Sequence, residues 1–173
     1  MFTCEKALLK TYGTFADVVE LMDESFLKRA VSSHTSKLSA FDEAERLSEM
    51  IELKKDLIDL YGMITDALAD LKRSDYILLD GRYSLTGETQ TEEEKNRNYY
   101  RRLAIAVGRF AYAVRRRGVN EEKFSEYAKK FHFIEEAYSE EKAKEKDFFK
   151  GKKTIAVKIQ KKDASDKTAL AII

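Results

Sequence analysis

Apolar residues recur three and four positions apart along most of this chain, which is the period of a helix rather than of a strand. The longest such run lies between Ala40 and Leu78. Met50, Leu57, Tyr61, Ile64, Leu68, Leu71 and Leu78 keep the register, with Lys54 and Asp75 filling two of its positions. Ile51, Leu53, Ile58 and Leu60 widen the stripe beyond the narrow seam of a two-stranded coiled coil. The pattern therefore predicts one unusually long helix over residues 41–78, set in the core of a bundle. A helix of that length invites an interruption, and Gly62 is the candidate.

Shorter elements flank it. "TCEKALLK" and "TFADVVELMDESFLKRAV" read as two helices; in the second, Phe15, Val18, Val19, Met22, Phe26 and Leu27 recur at helical spacing and Thr14 stands where a cap belongs. The polar run "SSHTSKLS", which holds His34, reads as a connection. "SDYILLDGRYSLTGETQT" breaks the period: Asp80-Gly81 and Thr86-Gly87 are turn dipeptides, Tyr83 and Leu85 alternate, and a loop or short hairpin is expected.

Thr91 and Glu94 form a capping box that opens a helix over 92–117, and Gly118 is placed as its left-handed stop. Asn120 caps the next helix, 121–147, with Val119 and Phe124 as a hydrophobic staple. Phe124, Tyr127, Ala128, Phe131, Ile134 and Tyr138 make its buried side. Past Gly151 the period changes. Ile155, Val157 and Ile159 alternate with polar or small neighbours, which predicts a strand, and "KTALAII" is its candidate hairpin partner. A lone hairpin is marginal in water, so this one must pack on the bundle or pair with another chain. The expected fold is mainly α: an antiparallel helical bundle over 1–150 with a small C-terminal β-hairpin or strand over 151–173.

Composition sharpens this picture. Proline and tryptophan are absent and glycine numbers only seven, so little interrupts a helix. The 173 residues suit one domain that buries roughly 68–70% of its unfolded surface. One cysteine, Cys4, allows no internal disulfide and no multi-cysteine metal site. No apolar run approaches the roughly 20 residues needed to span a bilayer, and the opening residues lack the apolar stretch of a secretory signal. A cytoplasmic protein with no integral membrane association is expected.

Charge changes the picture most. The net charge of +1 conceals segregation: residues 41–90 hold twelve acidic and six basic groups, residues 91–120 three and eight. Between Asn96 and Gly118 stand seven arginines and no acid. On a helix, Tyr99, Tyr100, Leu103, Ala106, Val107, Phe110, Ala111 and Val114 share one face. Arg97, Arg101, Arg102, Arg109, Arg115 and Arg116 share the other, with Ile105 and Tyr112 set among them. An isoleucine and a tyrosine between guanidinium groups suit a contact surface, because arginine forks onto anions and stacks on rings. Neutralisation by the acidic helix meets a geometric difficulty. If both helices bury their apolar stripes in one core, Glu45, Glu49, Glu52, Asp56, Asp59 and Asp70 turn away from the arginines.

The chemistry elsewhere is thin. His132 and Glu135 make one pair at i, i+3, where a carboxylate-bridged metal site in a bundle needs two such pairs. Glu49 with Glu52, and Asp56 with Asp59, suggest Mg²⁺ for phosphate hydrolysis but belong to an outward face. "GRYSLTG" lacks the lysine and the context of a phosphate loop. The sequence thus favours a non-enzymatic interaction module without cofactor or metal, self-associating or binding a protein partner through Arg97, Arg101, Arg102, Ile105, Arg109, Tyr112, Arg115 and Arg116. The first alternative is a nucleic-acid-binding protein that uses helix 92–117 for phosphate contacts. The second is an all-helical Mg²⁺-dependent phosphohydrolase using the carboxylates of helix 41–78.

Overall fold

A computed structural model describes residues 2–32, 39–86 and 97–147, and these form an all-helical bundle. Seven helices occur among the described residues. They are α1 (Thr3–Thr11), α2 (Thr14–Ser32), α3 (Ala40–Ala69), α4 (Arg73–Tyr83), α5 (Arg97–Arg116), α6 (Glu121–Lys130) and α7 (132–147). The expected strand at 151–173, the capping box at Thr91 and Glu94, and His34 all lie outside the described residues.

The short α1 is the most enclosed element. Ala7, Leu8 and Leu9 are completely buried, and so in effect are Glu5 and Thr11. Helix α5 packs on α1, α3 and α4, contributing Ala106, Val107, Phe110 and Val114 to the core. Leu57, Leu60, Ile64, Ala67 and Leu68 supply the α3 side. An aromatic group closes the α1–α2 corner: Phe15 lies 5.6 Å from the Tyr61 ring and 5.4 Å edge-on to Phe133. Helix α7 runs antiparallel to α1, where the Thr3 hydroxyl donates to Glu145 at 2.7 Å and Lys10 pairs with Glu140. Thr14 does not cap α2; its hydroxyl donates to the Thr11 carbonyl at 2.8 Å and stitches the corner instead.

The single helix expected over 41–78 is two helices. Gly62 sits within α3, and the break falls at Asp70–Lys72, where Lys72 turns extended (ψ 143°). No proline or glycine marks this break. Its physical reason is tertiary: the bend lets Leu78 and Leu79 reach the core and Asp75 reach Arg109, while Arg117 donates to Asp70 at 2.8 Å and holds the corner against the end of α5. The loop or hairpin expected around Asp80-Gly81 is also absent, because both residues lie inside α4. Asp80 is buried, and its carboxylate accepts from the Thr86 amide (2.9 Å) and hydroxyl (3.1 Å), so the turn-forming side chain serves the chain just beyond the helix. Ser84, left-handed at φ 53°, ends α4 by donating its amide to the Asp80 carbonyl at 2.7 Å.

The helix expected over 121–147 is likewise two. Its start is as the sequence indicates: Asn120 accepts from the Lys123 amide at 2.8 Å, Val119 and Phe124 are buried, and Gly118 stands at φ +92°. The break comes at Phe131, which is extended (φ −123°, ψ 102°) and buried. Turning the chain there brings the Tyr138 ring of α7 to 5.2 Å from Phe124 of α6, so both helices face one core.

Helix α2 packs chiefly on α3, and of its residues only Phe15 is fully buried. Near the far end of this pair Arg29 stands 3.5 Å from the buried Glu43. No helix among the described residues is long and apolar enough to cross a membrane. Stability should follow this division. Phe110→Ala, at a completely buried site, is expected to cost about 3–5 kcal/mol. Leu27→Ala, where the side chain is 62% exposed, should change stability by less than about 0.5 kcal/mol; urea denaturation of the two variants checks both.

Candidate interaction surface on α5

Helix α5 separates its two faces sharply. Arg97, Arg101, Arg102, Arg109, Arg115 and Arg116 are all exposed, and Ile105 (47%) and Tyr112 (68%) are exposed among them. Tyr100, placed on the core face by its spacing, is 53% exposed and lies at the edge. Arg101, Ile105, Arg109, Tyr112 and Arg116 follow one another at steps of four, four, three and four, a single row along the outer face. Gly108 lies beside this row: a Cβ there would stand 3.4 Å from the Phe2 ring, so the absent side chain admits the start of α1.

The arginines are not equivalent. Arg115 reaches α1, where its Nε donates to Glu5 Oε1 at 2.8 Å and its Nη2 stands 2.7 Å from the same oxygen. The Glu5 side chain is only 5% exposed. Arg109 reaches α4 and donates to Asp75 at 2.5 Å, and Asp75 is equally enclosed. These two carboxylates come from the inner faces of the helices that flank α5, not from the acidic outer face of α3. A buried carboxylate needs a charged or hydrogen-bonding partner, and α5 supplies one on each side. By contrast, Arg97, Arg101, Arg102 and Arg116 form no ion pair with any described residue. Arg116 instead lies with its guanidinium carbon 5.9 Å from the centre of the Tyr112 ring.

The outer row forms one wall of an open groove of about 710 Å³, and the α3–α4 corner forms the other. Ile105, Arg109, Tyr112 and Arg116 line the α5 side; Asp70, Lys72 and Asp75 line the corner. With Asp70 held by Arg117 and Asp75 by Arg109, Lys72 and Arg116 leave the groove a positive excess. The structure thus brings four of the eight sequence-selected residues into one groove, turns Arg115 toward α1, and leaves Arg97, Arg101 and Arg102 on open surface.

Glu5 is a site residue not singled out above, and Asp75 stands in the apolar register without an assigned partner. A signal for both was present. Glu5 precedes Leu8 and Leu9, and Asp75 precedes Leu78 and Leu79, at the same three- and four-residue steps, which puts each acid on a buried face.

Other chemistry is sparse. His132 is 81% exposed, with Nε2 3.4 Å from Glu136 and Nδ1 4.0 Å from Glu135. Glu49, Glu52 and Asp59 lie on open surface, and Asp56 pairs with Lys130. Among the described residues no group of three or more histidines, cysteines or carboxylates is arranged to hold a metal ion. Burial, followed by the nearby charges of Glu5 and Glu121, pushes the Cys4 thiol up to about 11, so it is uncharged and weakly nucleophilic at neutral pH.

The division among the arginines is measurable as stability. Arg115→Ala strands the Glu5 carboxylate and should cost about 1–3 kcal/mol, below the figure for a fully buried pair because Arg115 itself is 45% exposed. Arg116→Ala, one residue on, should cost less than about 0.5 kcal/mol; chemical denaturation monitored by circular dichroism reads both. Comparison with the known protein families, with curated proteins and with solved structures finds no match.

Proposed function

We propose that this chain is a non-enzymatic protein–protein interaction module that self-associates through the Arg/Tyr face of α5. The observation that carries the reading is the exposure of Ile105 and Tyr112, at 47% and 68%, inside a row of arginines on one wall of a groove. Water gains nothing from contact with an isoleucine on an otherwise charged face. A docked protein surface gains apolar burial there, together with forked hydrogen bonds from guanidinium groups. Tyrosine and arginine are also the residues that most often carry binding energy when enclosed at the centre of an interface.

The nucleic-acid reading draws less support. Asp70 and Asp75 stand in the same groove, and Arg109, Arg115 and Arg117 are already held by carboxylates, so less positive charge is left for phosphates.

The test must leave Arg109 and Arg115 untouched, because altering either strands a buried carboxylate. The variant Arg101→Glu, Tyr112→Ala, Arg116→Glu should keep its helicity and weaken self-association by at least about tenfold, or 1.4 kcal/mol, as measured by light scattering after size exclusion. Assembly equal to that of the parent chain would contradict the proposal. So would a monomer that binds random-sequence DNA or RNA at low salt and releases it at high salt.

A further inference from the structure

Helix α3 carries a second charged row. Glu45, Glu49, Glu52, Asp59 and Asp66 follow one another at helical steps, all are exposed, and none forms an ion pair with a described residue. The row lies outside the buried face of α3, which carries Leu57, Leu60 and Ile64. Asp56 belongs to the same row and is engaged by Lys130 of α6, which marks the flank on which the row lies. The unpaired arginines of α5 span Arg97 to Arg116 and the acids Glu45 to Asp66. At 1.5 Å per residue both rows are about 30 Å long. Two rows of opposite charge and similar length thus sit on one chain, and apart from Asp56 and Arg109 their charges form no ion pair with a described residue.

Resting on the proposal that α5 is the self-association surface, we infer that its partner is the acidic face of α3 on a second copy of this chain. The contact joins two different surfaces and takes the head-to-tail form, in which one α5 face meets one α3 face at each contact. Each copy keeps an unused α3 face at one side and an unused α5 face at the other, and assembly continues instead of closing at a dimer. Charge complementarity sets the register, while Ile105 and Tyr112 supply the apolar burial that a purely ionic contact lacks. Because the charges on both rows are exposed, the contact weakens with salt.

Two neutral variants test this. One carries Arg101→Gln, Arg102→Gln and Arg116→Gln; the other carries Glu45→Gln, Glu49→Gln and Glu52→Gln. The parent chain should show an average mass that rises with concentration past that of a dimer and falls in high salt. Each variant alone should be monomeric over the same range. Mixed, they should form a complex of two chains of 20.0 kDa each and stop there, since only one native pair of faces remains. A chain carrying Arg101→Glu, Arg102→Glu and Arg116→Glu together with Glu45→Lys, Glu49→Lys and Glu52→Lys should assemble again, which excludes misfolding as the cause of the losses.

Parent-like assembly by the glutamate-neutralised variant would overturn this inference and leave the α5 surface standing with another partner face. Parent-like assembly by the arginine-neutralised variant would overturn both. A plateau at the dimer in the parent chain would replace the head-to-tail contact with a closed one.

Discussion

The fold depends on two buried carboxylates that must each find an arginine. Glu5 of α1 and Asp75 of α4 lie on faces that their neighbours, Leu8 with Leu9 and Leu78 with Leu79, draw into the core. Either acid left unpaired there would carry a penalty of about 1–3 kcal/mol. Arg115 and Arg109 meet them from the two flanks of α5. The requirement fixes the rotation of α5 about its own axis. With that rotation set, Phe110, Ala106 and Val114 point inward and Arg101, Ile105, Tyr112 and Arg116 point to solvent. The architecture of the core and the composition of the outer face are therefore one constraint seen from two sides.

The same constraint accounts for the bend after α3. Continuing α3 straight through Leu71 would keep the apolar period but carry Asp75 away from α5. The chain instead turns at Asp70–Lys72, and Asp70 takes Arg117. Three arginines of the basic segment thus serve the fold and four remain unpaired with any described residue. An arginine-rich helix is a mixed population, and its charge count overstates what a partner meets.

What the sequence disclosed, and what it withheld, follows from where each signal resides. Elements whose ends are written in local chemistry are legible: the Asn120 cap and the left-handed Gly118 act within a few residues and appear as expected, and Val119 and Phe124 on either side of the cap are both buried. The two faces of α5 are legible because its apolar residues keep one period for about four turns. The breaks at Asp70–Lys72 and Phe131 are not, since neither contains a proline or glycine and the apolar spacing runs through both. They are imposed by contacts made elsewhere in the fold. Asp80-Gly81 misleads for the converse reason: a turn dipeptide is absorbed into α4 once Thr86 gives the Asp80 side chain its hydrogen bonds. Every sequence-selected arginine of α5 lies on the expected exposed face, yet their division into structural and unpaired groups required the positions of Glu5 and Asp75.

The division of the α5 arginines into held and unheld groups is read by side-chain NMR of their Nε–Hε groups in dilute, monomeric protein. Arg115, whose Nε donates to buried Glu5, should give a dispersed signal with slow hydrogen exchange, and Arg109, held to Asp75 through Nη1, should share its restricted motion. Arg97, Arg101, Arg102 and Arg116 should give signals clustered near the free-arginine position, with rapid exchange. Uniform mobility across all six residues would contradict the account, because nothing would then fix the face that α5 presents.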